Sequence, residues 1–445
     1  MTVPYNQYLK SVTPSSYYQT SAALPLTNPS NYTAKFIAYY LPQYHQMAEN
    51  DEWWGEGFTE WTNVAKAMPR YKGHYQPRMP SSLGFYDLSN INTIRKQVEL
   101  AKRGGIYGFC IHDYWFDGRR VLERPINIIR DNLDIDIKFC INWANENWTR
   151  TWDGLESDIL LQQNYSSKSD IAYGQYLLDL TKDRRYIRVE GRPLVMVYRP
   201  SLLPDASATF ERWRDIFRLA GEPEPFLVMP QAFGNLDPRK FGMDAAAGFP
   251  PHTSGEIVRN DATSLSLLDP TFQGQARSYQ TMINNEINGR PNDYTLFPGV
   301  CPNWDNEARK PGRGTSYYGS TPGLYANWLN NAARYRLDFK NTDQAIVFIN
   351  AWNEWGEGAY LEPDRHDGFA YLSETRHVLD SLSSSNNFIA LSGVKIESKA
   401  LSPNPIRRIF NVARRELYNN FKKFNRMLNE RRLNAMWANS EYNSH

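Results

Sequence analysis

The fold is indicated most clearly by one segment, Phe348-Ile349-Asn350-Ala351-Trp352-Asn353-Glu354-Trp355-Gly356-Glu357-Gly358. An apolar run rich in β-branched residues ends here in two carboxylates, Glu354 and Glu357, set among Trp and Gly. The run predicts a buried strand that delivers both side chains to one opening. Paired carboxyl groups cleave glycosidic bonds, and sugar rings stack on aromatic faces. The stretch therefore indicates carbohydrate chemistry without identifying the sugar.

Seven similar apolar runs precede this one, and most are separated by amphipathic helical patterns. The predicted strands are Phe36–Leu41, Ile106–Ile111, Ile137–Trp143, Leu194–Tyr198, Phe226–Gln231, Ala245–Phe249, Thr295–Val300 and Ala345–Trp352. The predicted helices are Ile91–Arg103, Arg120–Asn132, Asp170–Lys182, Phe210–Ala220, Phe272–Ile287, Leu324–Tyr335 and Leu372–Leu382. Eight strands that alternate with helices or long loops predict an α/β protein, a (β/α)8 TIM-like barrel.

Polar and aromatic residues follow nearly every predicted strand. In such barrels the active site lies where the carboxyl ends of the strands enter the following loops. We therefore predict that sugar-binding residues come from these positions, and we expect about half of the Trp residues among them to be core. The candidates are Tyr44, His45, Trp54, Glu60, Trp61, His112, Tyr114, Trp115, Trp143, Asn145, Glu146, Trp148, Arg199, Gln231, Trp304 and Asn353.

Glu354 and Glu357 are the predicted catalytic pair. Reaction at an anomeric carbon needs a proton donor for the leaving oxygen and a second group that attacks or activates. Unequal burial beside Trp rings would separate their pKa values. Two alternatives remain open: the two acids are loop residues paired with Arg, or Glu60 or Glu146 replaces Glu354 in the pair.

The chain divides into three predicted segments. Residues 1–34 form an irregular arm, residues 35–387 form the barrel, and residues 388–445 form a basic helical tail. The tail carries apolar residues at helical spacing among many Arg and Lys, so it predicts contact with an anionic membrane or packing against the barrel.

Composition excludes several classes. A net charge of +2 indicates no nucleic-acid partner, and three Cys residues make neither a disulfide framework nor a zinc site. The spacing of His45, His112 and His252 does not order metal ligands, so we predict no metal and no cofactor. No glycine-rich phosphate loop follows a strand, which disfavours a Rossmann-type nucleotide-sugar transferase. No signal peptide or membrane span is visible, so the expected location is the cytoplasm or the inner face of the membrane.

Several long motifs resemble WbsX-type proteins of polysaccharide gene clusters over roughly residues 35–385, and more thinly glycoside hydrolase family 99, the endo-α-mannosidase family. The motifs are Tyr40-Leu41-Pro42-Gln43-Tyr44-His45, Trp53-Trp54-Gly55-Glu56-Gly57-Phe58-Thr59-Glu60-Trp61-Thr62-Asn63, Trp143-Ala144-Asn145-Glu146-Asn147-Trp148-Thr149-Arg150, and Asn353-Glu354-Trp355-Gly356-Glu357-Gly358, followed by Glu362-Pro363.

The resemblance implies a retaining reaction with 2-hydroxyl participation. It makes Glu354 the base for the sugar 2-hydroxyl and Glu357 the general acid/base, while Gly356 stands where the hydrolases tend to carry His. We therefore expect a glycoside hydrolase-like enzyme that acts on an oligosaccharide or polysaccharide. The alternatives are a glycosyltransferase or transglycosidase of surface-polysaccharide (O-antigen, lipopolysaccharide) synthesis, and a non-catalytic glycan-binding barrel.

Overall fold

The computed structural model describes residues 13–150, 155–252, 265–337 and 342–384. Eight parallel strands form the centre of this part of the chain, and the seventh is divided into two short segments. We number them in chain order: β1 Lys35–Tyr40, β2 Gly108–Phe116, β3 Lys138–Trp143, β4 Arg192–Val197, β5 Phe226–Pro230, β6 Ala245–Ala247, β7 Leu296–Phe297 with Gly299–Val300, and β8 Ile346–Ile349.

The strands pair in the order β7–β6–β5–β4–β3–β2–β1–β8–β7, so that the sheet returns to the strand at which it began. Each pairing is parallel, as in the register of Phe36 with Val347 and of Cys110 with Cys140. A parallel sheet with sequential strand order and helices outside is a (β/α)8 barrel. The predicted fold class is confirmed.

Strand β7 closes the barrel through its two segments. Leu296–Phe297 pairs with β6, and Gly299–Val300 pairs with β8. Pro298 between them has no N–H to donate to a ladder, which explains why the predicted single strand is divided. The backbones of β6 and β7 also approach closely, since a Cβ on Gly299 would lie 2.0 Å from the Gly248 carbonyl oxygen.

Helices surround the strands, and every barrel strand except β5 is followed by one. The helices are Ala48–Trp54, Glu60–Lys66, Ile91–Arg103, Arg124–Asp131, Ser167–Leu180, Ala206–Leu219, Tyr279–Asn288, Pro322–Leu337 and Ala370–Ser383. Helix Ile91–Arg103 has the predicted bounds because the Asn90 side chain caps its start and Ile94, Val98 and Ala101 repeat on the buried face. Only the 3-10 turn Pro238–Phe241 follows β5.

Two helix predictions were wrong at their amino-terminal parts. Residues 120–132 contain the short strand Arg119–Val121, which pairs with β2, before helix Arg124–Asp131 begins at a Pro-containing first turn. Residues 272–287 contain the strand Gln275–Ser278, which pairs with Thr315–Tyr318. In the first place, a hairpin with the adjacent end of β2, closed by the turn at residues 117–118, outweighed local helical periodicity. In the second place, pairing with a distant segment did so.

The core lies inside the barrel and between the strands and the helices. Each residue of β8 and all but the first of β1 are buried, which is the pattern of strands covered on both faces. Cys110, Cys140 and Cys301 are buried and form no disulfide.

The described part of the amino-terminal arm contains little regular structure. Residues 13–34 contain one 3-10 turn, Ser21–Ala23, and a bridge from Gln19 to Gly368. The predicted tail, residues 388–445, lies outside the described residues, and the three segment boundaries stay predictions. In the described ranges, none of the helices combines the length and the apolar character needed to cross a bilayer.

Gly299→Ala should destabilise the barrel by about 3 kcal/mol, because the added methyl group meets the backbone of Gly248 rather than a side chain that can move. Gly323→Ala is the matched control. This residue lies in helix Pro322–Leu337, and a Cβ added to it meets nothing within 4 Å. Urea unfolding monitored by tryptophan fluorescence compares the two. Equal midpoints for both variants would contradict the close approach of β6 and β7.

Candidate active site

A cavity of about 660 Å³ opens at the carboxyl ends of the barrel strands. Its size is within the range of about 300–1,000 Å³ for ligand sites in proteins. Side chains from the end of each of the eight strands, or from the loop that follows, line it. Among them are Tyr114 and Trp148 on one side and Glu354 and Glu357 on another.

The strand β8 end is fastened to its neighbour β1. The Asn353 side chain accepts a hydrogen bond from the Leu41 N–H (2.8 Å) and donates one to the Leu41 carbonyl (2.9 Å). Glu354 follows directly, and the 3-10 turn Trp355–Glu357 ends at Gly358, whose φ of +62° favours glycine. The turn therefore presents both carboxyl groups to the cavity from a fixed backbone.

A guanidinium that the sequence analysis did not single out binds both predicted catalytic acids. Arg309 donates from Nη2 to Glu354 (2.8 Å), from Nη1 to Glu357 (2.6 Å) and from Nε to Glu60 (3.0 Å). It lies in the loop after β7, just past the 3-10 turn Asn306–Ala308. The Glu pair thus has an Arg partner, which one of the two alternatives expected, and it also lines the cavity.

Three carboxylates around one guanidinium cannot all be neutralised by it. Burial raises the pKa of Glu354 to about 8; Arg309 opposes this rise, and Glu357 and Glu60 add to it. Burial also raises the pKa of Glu357, again against Arg309. Burial disfavours the Arg309 cation, but the carboxylates outweigh it and raise its pKa. The group therefore holds a proton at neutral pH, shared between coupled acids.

Gly356 has a local explanation in this group. A Cβ at this position would lie 2.2 Å from Glu60 Oε1 and 3.0 Å from Arg309 Nε. The space that a side chain at position 356 would need is therefore filled by Glu60, the first residue of helix Glu60–Lys66, and by Arg309, from the loop after β7. This explains why position 356 is glycine in this chain, whereas the hydrolases that it resembles tend to carry His there.

A buried carboxyl behind the turn holds Trp355 in place. Glu362 accepts hydrogen bonds from Trp355 Nε1 (2.7 Å), Tyr86 (2.8 Å) and Gln97 (2.7 Å). The Trp355 N–H donates to the Tyr44 hydroxyl at 3.1 Å. Burial raises the pKa of Glu362 to about 7, although these donors oppose the rise. Because both ends of Trp355 are held, the two acids on either side of it are positioned as well.

The structure brings eight of the eighteen predicted site residues together on the cavity wall. They are Glu354, Glu357, His112, Tyr114, Glu146, Trp148, Arg199 and Trp304. Glu60 reaches the same group through Arg309. The other nine do not line the cavity: Tyr44, His45, Trp54, Trp61, Trp115, Trp143, Asn145, Gln231 and Asn353.

Most of these nine support the wall from behind. Trp61 is buried and donates to the Tyr86 carbonyl, while Trp115 and Trp143 pack on Tyr173. These three of the six candidate Trp residues are core without lining the cavity. Asn145 and Asn353 bond backbone groups, which explains why amides stand at strand ends.

Residues missed by the sequence analysis also line the cavity, chiefly Arg309, Lys310, Leu202, Phe116 and Phe233. Each lies at or after the carboxyl end of a strand, so the positional rule includes them. What the sequence lacked was a way to rank them, because none belongs to a Trp-rich or acidic motif.

The three His residues do not form one site. His112 and His252 line the cavity, and His45 does not. Burial, with the Arg309 charge added, lowers the pKa of His112 to about 4, and burial lowers that of His252 to about 4. Both are neutral at pH 7. Within the described ranges, no group of three or more His, Cys, Asp or Glu residues is placed to hold a metal ion.

Comparison with known proteins places the chain in a family. The family model described as glycosyltransferase WbsX matches residues 36–375. The chain belongs to the WbsX family. Uncharacterized WxcX proteins from two strains of Xanthomonas campestris pv. campestris are 43% identical over 363 and 358 residues, which cover 81% and 80% of this chain. The chain spans about half the length of these curated relatives, 51% and 50%.

Solved structures with the same barrel are more distant. A glycoside hydrolase-like protein superposes with a TM-score of 0.51 at 16% identity, over 80% of this chain and 96% of that one. The endo-alpha-mannosidase of family GH99 from Bacteroides thetaiotaomicron gives 0.49 at 15% identity, over 78% and 97%. At this identity the first likeness supports the fold alone.

Glu60→Gln should lower the pKa of Glu354 from about 8, because it removes a negative charge that disfavours ionisation of its neighbour. The measurement is a pH titration of the glutamate side-chain carbon resonances by NMR. Glu99→Gln, an exposed carboxylate paired with Arg103, is the control and should leave the Glu354 titration unchanged. An unchanged or higher Glu354 pKa in Glu60→Gln would contradict the three-carboxylate group.

Proposed function

We propose that the protein is a glycoside hydrolase-like enzyme that cleaves a glycosidic bond in an oligosaccharide or polysaccharide with retention. One observation carries the proposal. The two carboxyl groups at the end of β8 bind one guanidinium at the wall of a cavity that each barrel strand helps to line. Paired carboxyl groups of this kind, in an aromatic cavity, are the machinery of glycosidic-bond cleavage.

Glu357 is the proposed general acid/base. Its side chain is 22% exposed against 8% for Glu354, so it lies nearer the solvent and a leaving group. Glu354 is the proposed base for the sugar 2-hydroxyl, the role that the motif resemblance implies. The shared proton must then be on Glu357 in the reactive state. Two interacting acids around one cation can pass a proton from Glu354 to Glu357 in this way.

The proposed reaction has two balanced steps. Glu357 gives its proton to the leaving oxygen as the glycosidic bond breaks, and Glu354 takes the proton of the 2-hydroxyl, whose oxygen closes on the anomeric carbon. Water then gives a proton to Glu357 and attacks the anomeric carbon, the new ring opens, and Glu354 returns its proton to the 2-oxygen. Because Arg309 contacts both groups, its charge offsets the negative charge on whichever of the two is ionised at each stage.

Trp148, Trp304 and Tyr114 are the proposed contacts for the sugar ring, since all three line the cavity and present aromatic surface to it. His112 and His252 are neutral at pH 7 and able to donate to or accept from hydroxyl groups. The proposed reaction needs no cofactor.

Glu357→Gln should reduce kcat on a natural glycan by about 10²–10⁴-fold while sugar binding changes little, because the amide keeps the shape of the side chain but has no acidic proton. An aryl glycoside with a good leaving group should lose much less rate, since its departure needs little protonation. Glu354→Gln should be inactive on both, and a substrate 2-deoxygenated at the cleaved sugar should not react. Equal rates for wild type and Glu357→Gln would remove Glu357 from the mechanism.

Glycosyl transfer is the second candidate, and the family to which the chain belongs is the observation that favours it, because its model describes a glycosyltransferase. Purified protein incubated with polysaccharide and no nucleotide sugar should release reducing ends if hydrolysis is the reaction. Product formation only when an activated sugar donor is supplied would establish transfer instead. Glycan binding with neither reaction would leave a non-catalytic binding barrel.

A further inference from the structure

A tight turn at the cavity mouth holds a large aromatic residue in an unfavourable backbone conformation. The Asn235 N–H donates to the Ala232 carbonyl at 3.0 Å, which closes a β-turn. Its two central residues, Phe233 and Gly234, have φ values of +53° and +79°. Glycine adopts this region freely, and Asn or Asp tolerate it, but a bulky side chain seldom occupies it. The local sequence therefore gives no reason for Phe at position 233.

Packing gives little reason either. The Phe233 side chain is 50% exposed, although it lines the cavity. Its ring and the Tyr198 ring are in edge-to-face contact, with 5.8 Å between their centroids, and its centroid lies 5.5 Å from that of His252. The Arg199 guanidinium lies over the ring at 4.1 Å from its centre. Residues held in strained backbone conformations cluster at active sites and ligand-binding sites.

Arg199 is itself held firmly in place. The Asn145 side chain accepts from the Arg199 N–H (2.8 Å) and donates to its carbonyl (2.9 Å). The guanidinium donates to Glu146 Oε1 at 2.6 Å. The loops after β3, β4 and β5 are therefore joined into one group that consists of Glu146, Arg199 and Phe233.

This group lies across the barrel mouth from the acids. In the closed order of strands, β4 is separated from β8 by three strands on either side. Glu146, Arg199 and Phe233 line the same cavity as Glu354 and Glu357. A ligand that touches both sides must therefore extend over the mouth of the barrel.

We propose that Phe233, Glu146 and Arg199 form an outer subsite that binds a second sugar unit, remote from the bond that reacts. The exposed part of the Phe233 ring stacks on the apolar face of a pyranose, and the carboxylate and the guanidinium bind its hydroxyl groups. This inference rests on the proposed function and adds that the enzyme also binds a sugar unit away from the bond that is cleaved. It makes Phe233 a residue that selects oligosaccharides over monosaccharides.

The test measures binding by calorimetry with a panel of neutral monosaccharides and their linear oligomers of two to four units, built from glucose, mannose, galactose and rhamnose. Phe233→Ala should weaken binding of the best oligosaccharide by about tenfold, because an aromatic contact contributes roughly 1.4 kcal/mol. Binding of the matching monosaccharide should stay within about twofold, a change of less than 0.5 kcal/mol. Phe233→Trp should retain oligosaccharide binding.

Two controls separate a ligand contact from a structural role. Phe85→Ala removes a side chain of the same type and the same 50% exposure that does not line the cavity, and should leave binding unchanged. Thermal unfolding of Phe233→Ala should match the wild type, since the ring is half exposed and its removal leaves a small residue in the turn. A melting temperature that falls in parallel with binding would assign Phe233 a structural role and overturn the subsite.

The outcomes distinguish this inference from the proposed function. Two results overturn the subsite alone. In the first, the wild type binds or converts oligosaccharides and Phe233→Ala does so equally well. In the second, Phe233→Ala weakens monosaccharide and oligosaccharide binding to the same extent. A wild type that neither binds nor converts any member of the panel counts against both. Selective loss of oligosaccharide binding supports both.

Discussion

The ion pairs of Arg309 with Glu60, Glu354 and Glu357 are the interaction on which the site depends. Buried carboxylates that share a wall repel one another, and each costs desolvation free energy. One guanidinium with three nitrogen donors aimed at three different residues offsets part of both costs. It also connects helix Glu60–Lys66, which follows β1, with the loop after β7 and the end of β8. The same ion pairs therefore set both the charge balance and the geometry of the candidate site.

The same arrangement shows that Glu354 and Glu357, the proposed catalytic pair, are joined through one cation and are not simply two carboxylates beside each other. Burial, with the charges of Glu357 and Glu60 added, raises the pKa of Glu354 to about 8 against the effect of Arg309, so a proton stays in the group at neutral pH. That proton is what a general acid needs before a leaving oxygen can depart. Glu362 accepts from the Trp355 side chain, and Asn353 binds the backbone of Leu41, so the turn that carries the two acids is held at both places.

Much of this was predictable from the chain alone. Alternating apolar runs and amphipathic patterns predict eight strands and their helices, because burial on both faces of a parallel sheet leaves a strong periodic signal. The position of Glu354 and Glu357 after a β-branched run placed them at a strand end. Predictions failed where a distant partner decided local structure, as in Gln275–Ser278, which pairs with Thr315–Tyr318.

The amino-acid sequence alone was enough to predict the barrel, the end of it that carries the candidate site, and the two acids at the end of β8. The folded structure was needed to show their partner, because Arg309 is one of many Arg residues and no periodicity marks a cation that reaches acids on the β8 turn and on helix Glu60–Lys66. It also decided which aromatic residues face the cavity. Trp143 and Trp148 belong to one motif, yet the first is core and the second lines the wall, since burial depends on neighbours that are distant in the chain.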